Sequence, residues 1–211
     1  MQRPKTVRSA ETLGRIRLSA TFFMREFLHS EIASVHGFDN LPDDPDLAIK
    51  AGRQLCEELL VPLQAAFGRI SIRSGYRSPE VNAFGNGHYR SCASNEHDRA
   101  RHIWDHRDAD GNLGAMATIV VPCLADRIAA GGDWQSLAWW IHDHLPYSEL
   151  QFFPKLAAFS IGWRERPLRR ITSFAALRGL LTKVGMANHG GNHSEFYLSF
   201  PNPVLPLDEA A

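Results

Sequence analysis

The sequence predicts an α+β fold in which N-terminal helices pack on a small, mostly antiparallel sheet. Helical periodicity dominates the first third of the chain, where apolar residues recur every four positions between Asp46 and Gly68. Short apolar or alternating segments, bounded by Gly, Pro and polar residues, dominate the remainder and are typical of strands with tight connections. Helices first and strands later favour α+β over an alternating α/β arrangement.

The individual elements follow from these patterns. A long helix is expected over 46–67, with a kink or break at Pro62 because proline removes a backbone donor. Two shorter helices are expected near 124–130 and 134–145. Strands are expected near 70–73, 115–121, 150–153, 159–163 and 169–174.

A chain of 211 residues suits one domain with a single core. We expect a basic, flexible leader over 1–17, one domain over 18–184, and an extended C-terminal segment over 185–211 that is rich in Gly, Asn and Pro. Three cysteines without CxxC spacing favour reduced thiols over a disulfide framework or a zinc knuckle.

Charge and hydropathy exclude several classes of partner. The chain carries 23 basic and 23 acidic residues, and a formal net charge of zero argues against nucleic acid held by bulk charge. No apolar run reaches the roughly 20 residues needed to span a bilayer, so no membrane partner is expected. The N-terminus lacks the apolar region of a secretory signal, which predicts a cytoplasmic protein unless a non-Sec route exports it.

The segment between the first two strands carries the functional signal. It holds Arg77 directly after a strand and then four histidines, His88, His97, His102 and His106, in a loop poor in apolar residues. A loop of this length inside a compact domain is usually functional. Ligands are often met where a strand ends, so a guanidinium at that position is a candidate binding group.

The segment SGYRSPEVN (74–82) resembles the zinc D-Ala-D-Ala carboxypeptidase family, whose fold is shared with Hedgehog signalling domains. In that family an SGYRS segment precedes a Ser-x-His-x-x-Gly-x-Ala-x-Asp motif, and a later strand carries a second His. The His, the Asp and the second His hold zinc. The likeness spans about residues 18–174 in the order of elements. It implies a peptidoglycan-directed hydrolase with a Hedgehog/DD-peptidase-like fold.

The metal motif implied by this resemblance is degenerate here. His102 in ARHIWD is the preferred counterpart of the first zinc His, and His97 in SNEHD is the alternative. Thr118 stands where GAMATI should carry the Asp, and Ser160 stands where FSIGW should carry the second His. A neutral hydroxyl is a poor zinc ligand beside a carboxylate.

Replacement ligands would have to come from loops. Asp105, Asp108 and Asp110 lie in the insertion that follows His102, and His189 and His193 lie in the NHGGNH segment. His142 and His144 are two apart on a helix, so both cannot face one metal. Ordering such loops costs conformational entropy, so zinc is possible but is expected below full occupancy.

The resemblance also assigns substrate-binding and catalytic candidates. Arg77 would meet a substrate carboxylate, with Tyr76 and Ser78 beside it, although Arg77 could equally form an internal ion pair and Tyr76 could pack against the sheet. Glu149 and Glu165 are the carboxylates near the late strand that could act as a general base.

Two functional hypotheses remain open. The first is a zinc peptidase, a carboxypeptidase or endopeptidase that cuts peptidoglycan peptides with metal-bound water. The second is a descendant of that fold without zinc chemistry, which binds a peptide or protein at the Arg77 cleft or serves as a structural part of a phage or prophage assembly. The altered residues at two of three ligand positions favour the second hypothesis for mechanism.

Overall fold

The computed structural model describes residues 1–201, and their backbone forms an α+β fold on one mixed sheet. Its strands lie in the order β1-β2-β4-β3-β5-β6. They are β1 (Ser71–Ser74), β2 (Gly114–Val120), β3 (Glu149–Phe152), β4 (Ala158–Arg164), β5 (Arg170–Ser173) and β6 (Gly179–Thr182). Neighbouring strands are antiparallel except β3 and β5, which run parallel. The α+β class and the mostly antiparallel sheet are therefore confirmed.

The helices precede and flank this sheet. They are α1 (Val7–Gly14), α2 (Arg25–Leu28), α3 (Glu31–His36), α4 (Pro45–Leu55), α5 (Val61–Phe67), α6 (Pro79–Phe84), α7 (Asn95–Asp98), α8 (Pro122–Ala129) and α9 (Gln135–His144). A π-helical segment, Cys56–Leu60, joins α4 to α5 and keeps the backbone helical from 45 to 67. The wide turn lies directly before Pro62, whose ring cannot fit against the carbonyl four residues earlier in a regular α-helix.

The two faces of the sheet differ in chemistry. Alternate residues of its central strands, including Ala117 on β2 and Ile161 on β4, belong to the hydrophobic core. Helix α4 packs across these two strands and buries that face. The period of two in a strand sends the intervening residues to the opposite face, which is polar in its middle. That polar face carries the candidate functional site.

Three parts of the chain differ from the sequence-based expectation. Residues 1–17 are not a flexible leader, because Thr6 and Ser9 form a capping box for α1 and Leu13 is fully buried. Residues 185–201 form turns and a 3₁₀ helix (Ser194–Phe196) rather than an extended strap, and 202–211 lie outside the described residues. The sheet also gains β6, an edge strand that the sequence did not predict.

Candidate functional site

A row of polar side chains crosses the open face of the sheet. Thr118 on β2 pairs with Ser160 on β4, and Ser160 pairs in turn with Gln151 on β3. The row continues to Ser74 on β1, which lies opposite Thr118. The two hydroxyl oxygens of Thr118 and Ser160 are 2.8 Å apart and form a hydrogen bond. Thr118 and Ser160, the two positions at which the resemblance would place metal ligands, therefore meet in the middle of one sheet face.

A cleft of about 280 Å³ opens above this row. One side is formed by Arg77 and by the loop that carries Asp98, Arg101 and His102. Phe153 and Phe174 also line the cleft and form an aromatic wall, in which the two rings stack with centroids 5.9 Å apart. The cleft therefore combines guanidinium groups, hydroxyl groups and an aromatic wall.

Local backbone chemistry presents Arg77 to the cleft. Gly75 lets the chain pass close to α2, since an added Cβ would lie 2.8 Å from the Cα of Phe27. The side chain of Ser78 caps α6 by accepting a hydrogen bond from Val81 N, and Pro79 takes the first helical position. The amide of Arg77 donates to the carbonyl of His102 at 2.8 Å, which ties the Arg77 turn to the histidine-rich loop.

Asp98 lies between two guanidinium groups of the cleft. Its carboxylate is 3.5 Å from Arg77 and 3.8 Å from Arg101, and its side chain is only 4% exposed. Burial raises the pKa of this carboxyl group above its ordinary value, against the opposing attraction of both arginines. Its Oδ2 atom has no hydrogen-bond donor among the described residues. Both ion pairs are therefore long, and Asp98 Oδ2 could still accept a hydrogen bond.

His102 lies beneath this charged group. Its ring is buried, and Nδ1 donates to the carbonyl of Gly75 at 2.8 Å. Burial lowers the pKa of His102 well below its ordinary value, and the positive charge of Arg77 acts in the same direction. The imidazole is therefore neutral, with Nδ1 as the protonated nitrogen.

These residues do not fit the zinc site that the resemblance implies. Such a site needs three side-chain ligands, and here Thr118 and Ser160 offer neutral hydroxyls already bonded to each other. Arg77 and Arg101 also line the same cleft, and their charges oppose a second cation. Of the three positions that the resemblance implies, only that of His102 carries a residue type that binds zinc.

The other predicted metal ligands do not complete a site with His102. His97 lines the same cleft, but its ring is exposed and contacts Arg101 through its Nε2 atom at 3.1 Å. Asp108 stabilises a turn, because it accepts hydrogen bonds from Asn112 and forms an ion pair with Arg164. Asp110 is exposed in the same turn. Neither Asp108 nor Asp110 therefore forms a group of three potential metal ligands with His102. Among residues 1–201, such a group of three is found at another place in the structure.

The predicted catalytic and substrate-binding neighbours have structural partners. Glu149 is buried at the edge of the cleft between Arg101, at 3.2 Å, and Arg170. Glu165 binds Arg107 and the amide of Leu113, and the latter hydrogen bond lowers the pKa of Glu165, which weakens it as a base. Tyr76 is fully buried and donates to Asp105 at 3.3 Å.

A second cluster lies where α9 meets the segment that follows β6. His142, Asp143 and His193 place one potential ligand atom each within 4.8 Å of one another, so the group could hold a metal ion. His193 was a predicted candidate, whereas His142 and Asp143 were not. His189 joins the cluster through its carbonyl, which accepts from His142 Nε2 at 2.8 Å.

Comparison of the chain with protein-family models, with curated proteins and with solved structures finds no match. Within residues 1–201, no helix combines the length and the apolar character needed to cross a membrane. The chemistry of the site must therefore be judged from its own residues.

The charges around the cleft determine which kind of ligand it can bind. Four guanidinium groups, those of Arg77, Arg90, Arg101 and Arg170, lie at or beside it, against the two carboxylates of Asp98 and Glu149. This excess of positive charge, beside the neutral His102, suits an anionic ligand. Planar guanidinium groups bind carboxylates through paired hydrogen bonds and do so best where water is partly excluded.

Proposed function

We propose that the protein is a non-catalytic binding module whose cleft holds a peptide ligand by its carboxylate. The observation that carries this proposal is the weak engagement of Arg77. Its guanidinium lies 3.2 Å from Ser74 Oγ, 3.4 Å from Asn82 Oδ1 and 3.5 Å from Asp98. Charge-assisted hydrogen bonds are usually 2.7–2.9 Å long. A ligand carboxylate can therefore bind Arg77 without breaking a strong internal contact.

The apolar wall supports a peptide rather than a small inorganic anion. Phe153 and Phe174 line the same cleft, and Phe174 is 52% exposed although it is a large aromatic residue. A ligand with a carboxylate at one end and an apolar group next to it would contact both sides. Gln151 and the hydroxyl pair of Thr118 and Ser160 lie between them and supply donors and acceptors for a peptide backbone.

The resemblance narrows the ligand class. The SGYRS segment is similar to that of peptidases that act on peptidoglycan peptides ending in D-Ala-D-Ala, and there the arginine helps to bind substrate. A Hedgehog/DD-peptidase-like fold for this chain is part of the same proposal. A short peptide with a free terminal carboxylate and small apolar side chains agrees with both the resemblance and the cleft.

Binding without hydrolysis is favoured by the donor set. Thr118 and Ser160 replace the carboxylate and the imidazole that would hold zinc, and Glu149 is held by two arginines. A peptidase of this type needs a metal-bound water and a free base. The cleft retains the group that would position a carboxylate and lacks the donor set that would activate water.

The test compares two peptides that differ in one charge. Calorimetric titration would use an N-acetylated tripeptide ending in D-Ala-D-Ala and the same peptide with a C-terminal amide, in the presence of chelator. We expect the acid to bind and the amide to bind at least about 10-fold more weakly, because hydrogen bonds to charged groups contribute roughly 1.5–3 kcal/mol.

Matched variants locate the site. Arg77→Ala should weaken binding of the acid by about 10-fold or more. Arg8→Ala removes an exposed guanidinium from α1 and should leave binding unchanged. Equal binding of acid and amide, or equal binding by Arg77→Ala and the parent protein, would place the ligand elsewhere and refute the proposal.

A further inference from the structure

The cluster of His142, Asp143 and His193 at the end of α9 consists of residues that do not line the Arg77 cleft. It borders a cavity of about 480 Å³, and within residues 1–201 this cavity shares no lining residue with the cleft. His142 and His193 are 5% and 7% exposed, and the side chain of Asp143 is 11% exposed. Imidazole and carboxylate groups so nearly removed from water need specific partners.

Each histidine has one nitrogen fixed by a backbone carbonyl. His142 Nε2 donates to the carbonyl of His189 at 2.8 Å, and His193 Nε2 lies 3.0 Å from the carbonyl of Asn188. These contacts leave Nδ1 of both rings directed to other groups. Histidines that bind metals commonly donate their second ring nitrogen to a backbone carbonyl, which fixes the ring orientation.

The carboxylate is oriented in a similar way. Asp143 Oδ2 accepts hydrogen bonds from the hydroxyl of Tyr197 at 2.7 Å and from the backbone amide of His193 at 2.9 Å. Burial acts to raise the pKa of Asp143, but the hydrogen bonds from Tyr197 and His193 bring it below its ordinary value. Asp143 Oδ1 faces His193 Nδ1 at 2.7 Å.

The geometry points to a binding site for one divalent transition-metal cation of the Zn²⁺ or Co²⁺ type, with His142 Nδ1, Asp143 Oδ1 and His193 Nδ1 as its ligands. Two imidazoles and one carboxylate suit such borderline cations, whereas Ca²⁺ and Mg²⁺ prefer oxygen ligands. The metal would take the place of two present contacts, that between Tyr147 and His142 Nδ1 and that between His193 Nδ1 and Asp143. The open side of the cavity leaves room for water as a fourth ligand.

Such a metal would link His193, in the segment after β6, to His142 and Asp143 on α9. Asp143 and His193 are 50 positions apart in the chain, so a metal between them closes a long loop. Gly191, with a φ of +102°, allows the turn that brings His193 back to the helix. His193 also stacks on Trp139 of α9 with ring centroids 4.0 Å apart. The proposed role is structural, and it is independent of ligand binding in the Arg77 cleft.

Titration of the chelator-treated full chain with Zn²⁺ alone tests this site. We expect one equivalent to bind and the melting temperature to rise, because a ligand of the folded state stabilises it by mass action. Cobalt(II) at one equivalent should give the visible absorption of a low-symmetry nitrogen and oxygen site. Failure of the parent protein to bind Zn²⁺ would overturn the inference and leave Asp143 and His193 as a hydrogen-bonded pair.

Three variants separate the site from surface histidines. His193→Ala should weaken Zn²⁺ binding by at least about 100-fold, since a site with two remaining ligands holds zinc poorly. Asp143→Asn, which keeps an acceptor for Tyr197, should weaken binding and alter the cobalt spectrum. His29→Ala removes an exposed histidine and should change neither. Unchanged affinity in Asp143→Asn and His193→Ala would contradict the site, and circular dichroism of each variant shows whether it is folded.

Discussion

One buried side chain, that of Asn40, holds the turn that presents Arg77. Its Oδ1 accepts from the amide of Ser78 at 2.7 Å, and its Nδ2 donates to the carbonyls of Leu28 and Tyr76, each at 2.9 Å. All three partners are main-chain groups, so they need a buried partner of their own. No local sequence pattern singles out Asn40, because its partners lie as far as 38 positions away.

Replacement of Asn40 should therefore be costly. Asn40→Ala leaves buried backbone groups without partners, and we expect the free energy of unfolding to fall by about 2–4 kcal/mol. Urea denaturation measures the change. Asp39→Ala, at the exposed neighbouring position, should alter stability by less than about 0.5 kcal/mol. Equal effects of the two variants would show that the Asn40 hydrogen bonds do not stabilise the turn.

The burial of Asp98 predicts an unusual pH dependence of the free energy of unfolding. Burial raises its pKa in the folded protein, so the stability that it contributes is present below the unfolded value of 3.8 and is lost as pH rises through the folded value. The stability of the parent protein relative to Asp98→Asn should therefore decrease between pH 3.8 and neutrality. Urea denaturation of both proteins across this range checks the slope, and a difference that increases with pH would contradict the assignment.

Among the elements, β2 and β4 carry the clearest link between sequence and site. Their register places Thr118 opposite Ser160, and the two hydroxyl groups satisfy each other on the open face of the sheet. The sequence predicted both strands, and the resemblance drew attention to Thr118 and Ser160 as positions of interest. It could not predict β6, because Leu180 is 44% exposed and the strand lacks an alternating apolar pattern.

A double-mutant cycle tests the hydroxyl pair. Thr118→Val or Ser160→Ala alone leaves one hydroxyl without its partner, so each should lower the free energy of unfolding by about 1 kcal/mol. The double variant should lose less than the sum, with a coupling of roughly 1 kcal/mol, because no unpaired hydroxyl remains. Additive losses would indicate that the two groups do not interact.

At the scale of the whole molecule, the fold was more predictable than the site. Helix α4, five strands and their order along the chain follow from local periodicity. Local periodicity does not predict which of the expected ligands meet, because this depends on tertiary packing. Packing separates Asp108 and Asp110 from His102 and brings His193 to His142. The sequence does not single out His142, because its spacing of two from His144 on a helix argues against a shared metal. One of these two histidines suffices when a distant segment supplies another ligand.

The buried neutral His102 should also affect the stability of the whole chain. Burial lowers its pKa far below the ordinary 6.5, so its contribution is present above pH 6.5 and is lost as pH falls towards the folded value. We expect the free energy of unfolding to fall below pH 6.5 by up to about 1.4 kcal/mol per pH unit for this one proton. The slope should be smaller in His102→Asn, as measured by urea denaturation between pH 5 and 7; an unchanged slope would show that His102 is not the responsible group.

The central proposal is that the Arg77 cleft binds a peptide carboxylate without zinc chemistry. The most direct test incubates the protein with the tripeptide ending in D-Ala-D-Ala, either with chelator or with one equivalent of Zn²⁺, and measures both binding and release of D-alanine. We predict equal affinity in both conditions and no release, because Thr118 and Ser160 cannot complete a catalytic site. Zinc-dependent release of D-alanine that is lost in His102→Ala would contradict the proposal and identify a peptidase.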